Sequence, residues 1–119
     1  MESCHATMKS ENLDYIAGFV QADGCFGIQV TLNRENGKQP TERTPVFSIT
    51  QDAESVQALQ FIKECLCIGT LTAVSKRDST RTLRVRGVKS CSKLFSIFDK
   101  HQLLGEKRLN YIIFKYLVN

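Results

Sequence analysis

The chain has 119 residues, 42% hydrophobic and 24% charged, with 16 Lys+Arg against 12 Asp+Glu. That length and mixture point to one ordinary globular domain with a modest core, and they exclude a large multidomain enzyme, a disordered chain and a fibre. No apolar run approaches the roughly 20 residues of a membrane span, and the N-terminus Met1-Glu2-Ser3-Cys4-His5 carries neither a signal-peptide nor a transit pattern. No membrane partner is therefore expected. The cysteines Cys4, Cys25, Cys65, Cys67 and Cys91 are odd in number, with no C-x-x-C pair. Neither a disulfide framework nor a zinc knuckle fits, so they read as small core residues in a reducing, intracellular compartment.

Residues 1–11 read as a flexible arm and 12–119 as a single domain. Ser10 can cap a first helix to about Gln21, with Leu13, Ile16, Ala17 and Val20 at helical spacing, ending at Asp23-Gly24. From Cys25 the period becomes two: Phe26, Ile28, Val30 and Leu32 face inward, Cys25, Gly27, Gln29, Thr31 and Asn33 outward. The polar stretch Arg34 to Thr44, with Gly37 and Pro40, reads as a hairpin loop before a second strand at about Pro45 to Gln51. Asp52 can cap a helix carrying Val56, Leu59, Ile62 and Leu66, which stops near Gly69.

Thr70 to Lys76 and Thr82 to Gly87 read as a second hairpin, with Leu83 and Val85 inward. Ser90 starts a short helix with Leu94, Ile97 and Phe98 inward, and a last helix from about Glu106 presents Leu109, Ile112, Ile113, Tyr116 and Leu117 to the core. The expected fold is α+β, in the order αββαββα. Its four-stranded antiparallel sheet would have helices packed on one side and the other side free.

The free face would present Gln29, Thr31, Asn33, Thr44, Ser48, Thr50, Thr72, Lys76, Thr82, Arg84 and Arg86, with Arg34, Lys38, Arg43, Arg77 and Arg81 around it. Residues 69–93 hold seven Lys/Arg against the single Asp78, the footprint of a nucleic-acid binder. Asn and Gln side chains pair with adenine and Arg with guanine, and two-stranded ribbons fit the major groove. The plain alternative is a Thr-rich sheet face that meets only water.

The first helix ends Ile16-Ala17-Gly18-Phe19-Val20-Gln21-Ala22-Asp23-Gly24, directly ahead of Cys25-Phe26. This segment resembles the signature of the LAGLIDADG homing endonucleases. The likeness runs over about residues 13–118 and includes Ile49-Thr50-Gln51 and Leu103-Leu104-Gly105-Glu106-Lys107-Arg108-Leu109. It implies a saddle-like DNA-binding sheet and a site-specific endonuclease that cuts both strands of double-stranded DNA. Cleavage would need Mg²⁺, which Mn²⁺ can replace, whereas Ca²⁺ would bind without supporting it. No small-molecule substrate is implied.

In that family two such helices pack together and each delivers an acidic residue, here Asp23. Gly18 and Ala22, four residues apart, share one helix face and let a second backbone approach, so Gly18, Phe19 and Ala22 form the expected interface of a homodimer. Two facing carboxylates oppose each other's ionisation, and a divalent cation held by Asp23 and the Ala22 carbonyl resolves the conflict. A two-fold protein with ribbons spanning ~33 Å per subunit reads a pseudo-palindrome of roughly 20 base pairs. Gln51 matches a family position that orders water near the scissile phosphate, against the alternative of a solvent-facing strand end. A family lysine matches Lys107, with Arg108 competing.

The family spells Asp where this chain has Gln21, a departure that spares the metal ligand. His5 and His101 are isolated and read as surface residues, and there is no Walker loop, dinucleotide-binding glycine fingerprint or nucleophile elbow. The rival function is an RNA maturase or a non-cleaving nucleic-acid binder of the same fold. Kinship with organelle-intron proteins implies synthesis in a mitochondrion or chloroplast.

Overall fold

A computed structural model describes residues 10–32, 41–73 and 79–118, without the side chains of Thr31, Leu32, Thr41 and Glu42. The expectations for Asn33, Arg34, Lys38, Lys76 and Arg77, and for the Thr31 side chain, lie outside the described residues. Helix α1 (Ser10–Asp23) leads into strands β1 (Gly24–Leu32) and β2 (Thr41–Asp52). A 3₁₀ turn (Ala53–Ser55), α2 (Val56–Leu66), β3 (Thr70–Thr72) and β4 (Thr80–Arg86) follow. Helices α3 (Val88–Ser92), α4 (Phe95–Phe98) and α5 (Gly105–Val118) complete the chain.

The four strands form one antiparallel sheet in the order β1-β2-β4-β3, so the expected α+β class holds. Alternation along β2 and β4 puts Phe47, Ile49, Leu83 and Val85 on one side, fully buried under the helices with Ile16, Val20, Leu59 and Ile62. Phe26 extends this core as an aromatic cluster, 5.1 Å from Phe47 and 5.2 Å from Phe114 between ring centroids.

Several sequence-based boundaries move. Strand β2 begins at Thr41 and not at Pro45, since Thr41 to Thr44 pair with Leu32 to Gln29. Pro45 imitates a strand start because pairing with β4 begins only one residue later, at Val46. Among the described residues β3 ends at Thr72. Asp52 makes no side-chain cap; the Ala53 N–H donates instead to the Ser79 carbonyl at 2.7 Å. A backbone acceptor from the residue before β4 thus satisfies that helix-end donor. Ile28 and Val30 have the inward parity yet are 36% and 54% exposed, because α5 covers β1 only around Phe26.

The largest correction concerns α5. Leu109, Ile112, Ile113, Tyr116 and Leu117, expected inside, are exposed, while Tyr111 and Phe114 are buried. The Tyr111 hydroxyl donates to Asp99 Oδ1 at 2.8 Å, and Lys115 Nζ donates to Asp99 Oδ2 at 2.5 Å. The Lys115 hydrogen bond, with Tyr111 helping, holds the Asp99 carboxyl below its usual range, and burial beside Asp99 pushes the Tyr111 phenol up.

Cys65 and Cys91 are buried and Cys25 is exposed, whereas Cys67 is disulfide-bonded, which corrects the all-reduced reading. Burial pushes the Cys91 thiol up to about 11. At pH 8 iodoacetamide is expected to alkylate Cys25 in the folded protein and to reach Cys65 and Cys91 only after denaturant is added, as read by peptide mass mapping.

Candidate functional site

The site begins where α1 becomes β1 without a loop. Ile16 and Val20 are fully buried and anchor the helix. A Cβ on Gly24 would lie 2.6 Å from Val20 Cγ1 and 2.9 Å from the Val20 carbonyl oxygen, so only glycine allows so abrupt a passage. The preceding residue, Asp23, is left exposed at the junction.

Strand β2 runs on past its last β1 pair, Gly24↔Ile49, which carries Gln51 to the helix end. There Gln51 Nε2 donates to Asp23 Oδ2 at 2.7 Å. From the first turn of α5 the half-buried Lys107 Nζ donates to the Gly24 carbonyl oxygen. Arg108, its competitor in the sequence, turns away and donates from Nη1 to Gln102 Oε1 at 2.6 Å. Asp23, Gln51 and Lys107, distant in sequence, thus meet at one junction.

Gln21, where the family signature has an acid that could support the site, turns out to bridge two elements. Its Nε2 donates to the Leu104 carbonyl at 3.1 Å, and its Oε1 accepts the Leu104 N–H at 2.7 Å. The available signal was the amide itself, which carries both a donor and an acceptor where a carboxylate only accepts. His101 also touches α1, with Nδ1 2.5 Å from Asp14 Oδ1.

The sheet side away from the helices carries cross-strand rows. Ser48, Arg84 and Thr70 form one, and Thr50, Thr82 and Thr72 the next, with Thr50 and Thr82 joined by a 2.9 Å hydroxyl hydrogen bond. Gln29 and Thr44 are paired further out, and Arg86 stands opposite Val46. Gln29, Thr50, Thr72, Arg84 and Arg86 are exposed. Arg43 and Arg81 belong to the other parity, that of Phe47 and Leu83; Arg81 lies opposite Gln51 and donates to the Thr80 carbonyl at 2.7 Å. The exposed Cys25 stands opposite Ser48 on the same side.

On α1, Gly18 and Ala22 are exposed, and a Cβ on Gly18 would meet nothing within 4 Å. This fold therefore makes no demand for glycine there. Phe19 is partly buried and packs against Tyr15, 5.9 Å between centroids. Among the described residues no three His, Cys, Asp or Glu side chains converge as a complete metal site, so Asp23 supplies a single carboxylate. Its exposed oxygens are hard donors of the kind that suit Mg²⁺ or Ca²⁺.

Comparison with known proteins places this geometry. The Schizosaccharomyces pombe protein named "Probable intron-encoded endonuclease Cox1-I1b" is 33% identical over 120 residues, 97% of this chain and 30% of that protein. The crystal structure of the homing endonuclease I-TnaI superposes with a TM-score of 0.77 at 27% identity, covering 89% of this chain and 70% of that one. The I-SmaMI LAGLIDADG homing endonuclease bound to cleaved DNA gives a TM-score of 0.79 at 26% identity, covering 90% of this chain and 35% of that one. This chain thus spans about a third of the curated relative and of the DNA-bound enzyme. The family model described as LAGLIDADG endonuclease matches residues 16–118. A motif helix that delivers Asp23 to the edge of a four-stranded sheet agrees with that match, and the chain belongs to the LAGLIDADG endonuclease family.

Proposed function

We propose that the protein is a divalent-metal-dependent, site-specific DNA endonuclease that works as a homodimer on a long pseudo-palindromic duplex. The observation that carries this reading is the exposed Asp23 carboxylate held by Gln51, beside the Lys107 ammonium, at the end of a helix whose small face is open. Gln51 fixes Oδ2, so the other carboxylate oxygen is the one offered to a cation, with the Ala22 carbonyl as a second ligand and a second copy's Asp23 completing the set. A bound Mg²⁺ would lower the pKa of an attacking water and neutralise the leaving oxygen. Lys107 places positive charge where the phosphate becomes more negative, and Gln51 orients Asp23 and nearby water. The rows through Ser48, Thr50 and Arg84 supply recognition. Kinship with an intron-encoded fungal protein supports an organelle origin.

The test is to select duplexes from a random pool by gel shift in Ca²⁺ and then add Mg²⁺. Both strands of the selected duplex should be cut, and light scattering should give twice 13.4 kDa. Binding to intron RNA with no nicking of duplex would establish the maturase reading instead. Gly18→Leu is expected to leave the protein folded, since the site is open, but monomeric and inactive. Arg84→Ala is expected to weaken binding by ~1–3 kcal/mol at one base position, read by competition with single-base variants. Uniform weakening with a salt slope lower by about 1 would make Arg84 a phosphate contact.

A further inference from the structure

We propose that Gln21 is a positioning residue for Lys107, a role that rests on the nuclease reading above. Leu104 stands at the start of α5: its carbonyl accepts the Arg108 N–H at 3.4 Å, the first bond of the helix ladder. A leucine side chain cannot cap a helix, and Gly105, the next residue, has φ +60. The polar groups at the start of α5 therefore take a partner from outside the helix. Gln21, reaching from the last turn of α1, takes both polar groups of Leu104, donating to its carbonyl and accepting from its N–H.

Three residues further on, Lys107 reaches back to the Gly24 carbonyl, at the end of the helix that carries Gln21. The two links close a small loop of structure: α1 grips the start of α5, and α5 returns an ammonium to the end of α1. A lysine is a point charge on a flexible four-carbon stem, so its location depends on where its backbone is held. Tyr111 and Phe114 bury the middle of α5, but they lie one and two turns beyond Lys107. The acid that the family signature spells here accepts but cannot donate. A glutamine satisfies both halves of the Leu104 peptide and adds no charge beside Asp23.

The experiment uses the full chain. Lysine acetylation by acetic anhydride, mapped by mass spectrometry without DNA, should show Lys107 several-fold more reactive in Gln21→Ala than in wild type, with the exposed Lys63 unchanged as control. On the Ca²⁺-selected duplex, the single-turnover cleavage rate in Mg²⁺ should fall ~10–100-fold while binding in Ca²⁺ is retained. Gln21→Glu, which keeps the acceptor for the Leu104 N–H, should fall between. In a Lys107→Ala background Gln21→Ala should cost little more, because both changes act through one ammonium. Unchanged Lys107 labelling, or losses that multiply in the double variant, would overturn the proposal. If wild type never cuts the duplex yet Gln21→Ala exposes Lys107, the nuclease reading fails and the positioning role stands.

Discussion

Asp23→Asn is expected to lower cleavage of the selected duplex by ~10³-fold or more while leaving its gel-shift affinity in Ca²⁺ within a few-fold of wild type. The substitution keeps the shape of the side chain and its acceptor oxygen toward Gln51, but removes the negative charge that would hold a divalent cation. The residue is exposed and its neighbour Gly24 makes the tight passage, so the fold has no need of the charge. Gln51→Ala should be milder, because it frees the Asp23 carboxylate to rotate without removing it. Cleavage by Asp23→Asn at the wild-type rate would dismiss the centre. Loss of both cutting and binding, with a lowered melting temperature, would show a structural role instead.

Phe47→Ala is expected to destabilise the folded chain by ~3–5 kcal/mol, a large part of the ~5–15 kcal/mol of a typical domain. The corresponding drop in melting temperature is about 10–20 °C by circular dichroism. Phe47 is fully buried on the central strand β2, paired with Phe26 on one side and Val85 on the other, and its ring lies 6.0 Å from that of Phe98. No neighbouring side chain can fill that volume from a sheet locked in register. Two α5 variants calibrate the result: Phe114→Ala should also be costly, and Tyr116→Ala, at an 81% exposed position, should change stability by less than ~0.5 kcal/mol. A destabilising Tyr116→Ala beside a neutral Phe114→Ala would mean that α5 is turned the other way.

The orientation of α5 marks the limit of pattern reading. The helix has two apolar stripes at helical spacing, Leu109, Ile112, Ile113, Tyr116 and Leu117 on one side and Tyr111, Phe114 and Val118 on the other. Periodicity favours the longer stripe. Burial follows the shorter one, because its aromatic rings fill the space beside Phe26 and Phe98 and because the Tyr111 hydroxyl finds Asp99. Hydrophobicity counts residues, whereas packing weighs shape and hydrogen-bond reach.

The local order of the chain determined much else: the period-two strands, the buried Phe47, Ile49, Leu83 and Val85, and a helix ending in Asp23-Gly24 directly ahead of β1. Those features depend on neighbours a few residues apart, so they can be read along the chain. The tertiary structure alone decided that Lys107 and not Arg108 turns toward Gly24, that Gln51 reaches Asp23, and that Gln21 binds Leu104. These contacts span 28 to 83 positions, and a hydrogen bond forms only when two groups come within about 3 Å in the right direction. Spacing in sequence carries no such information across separate elements.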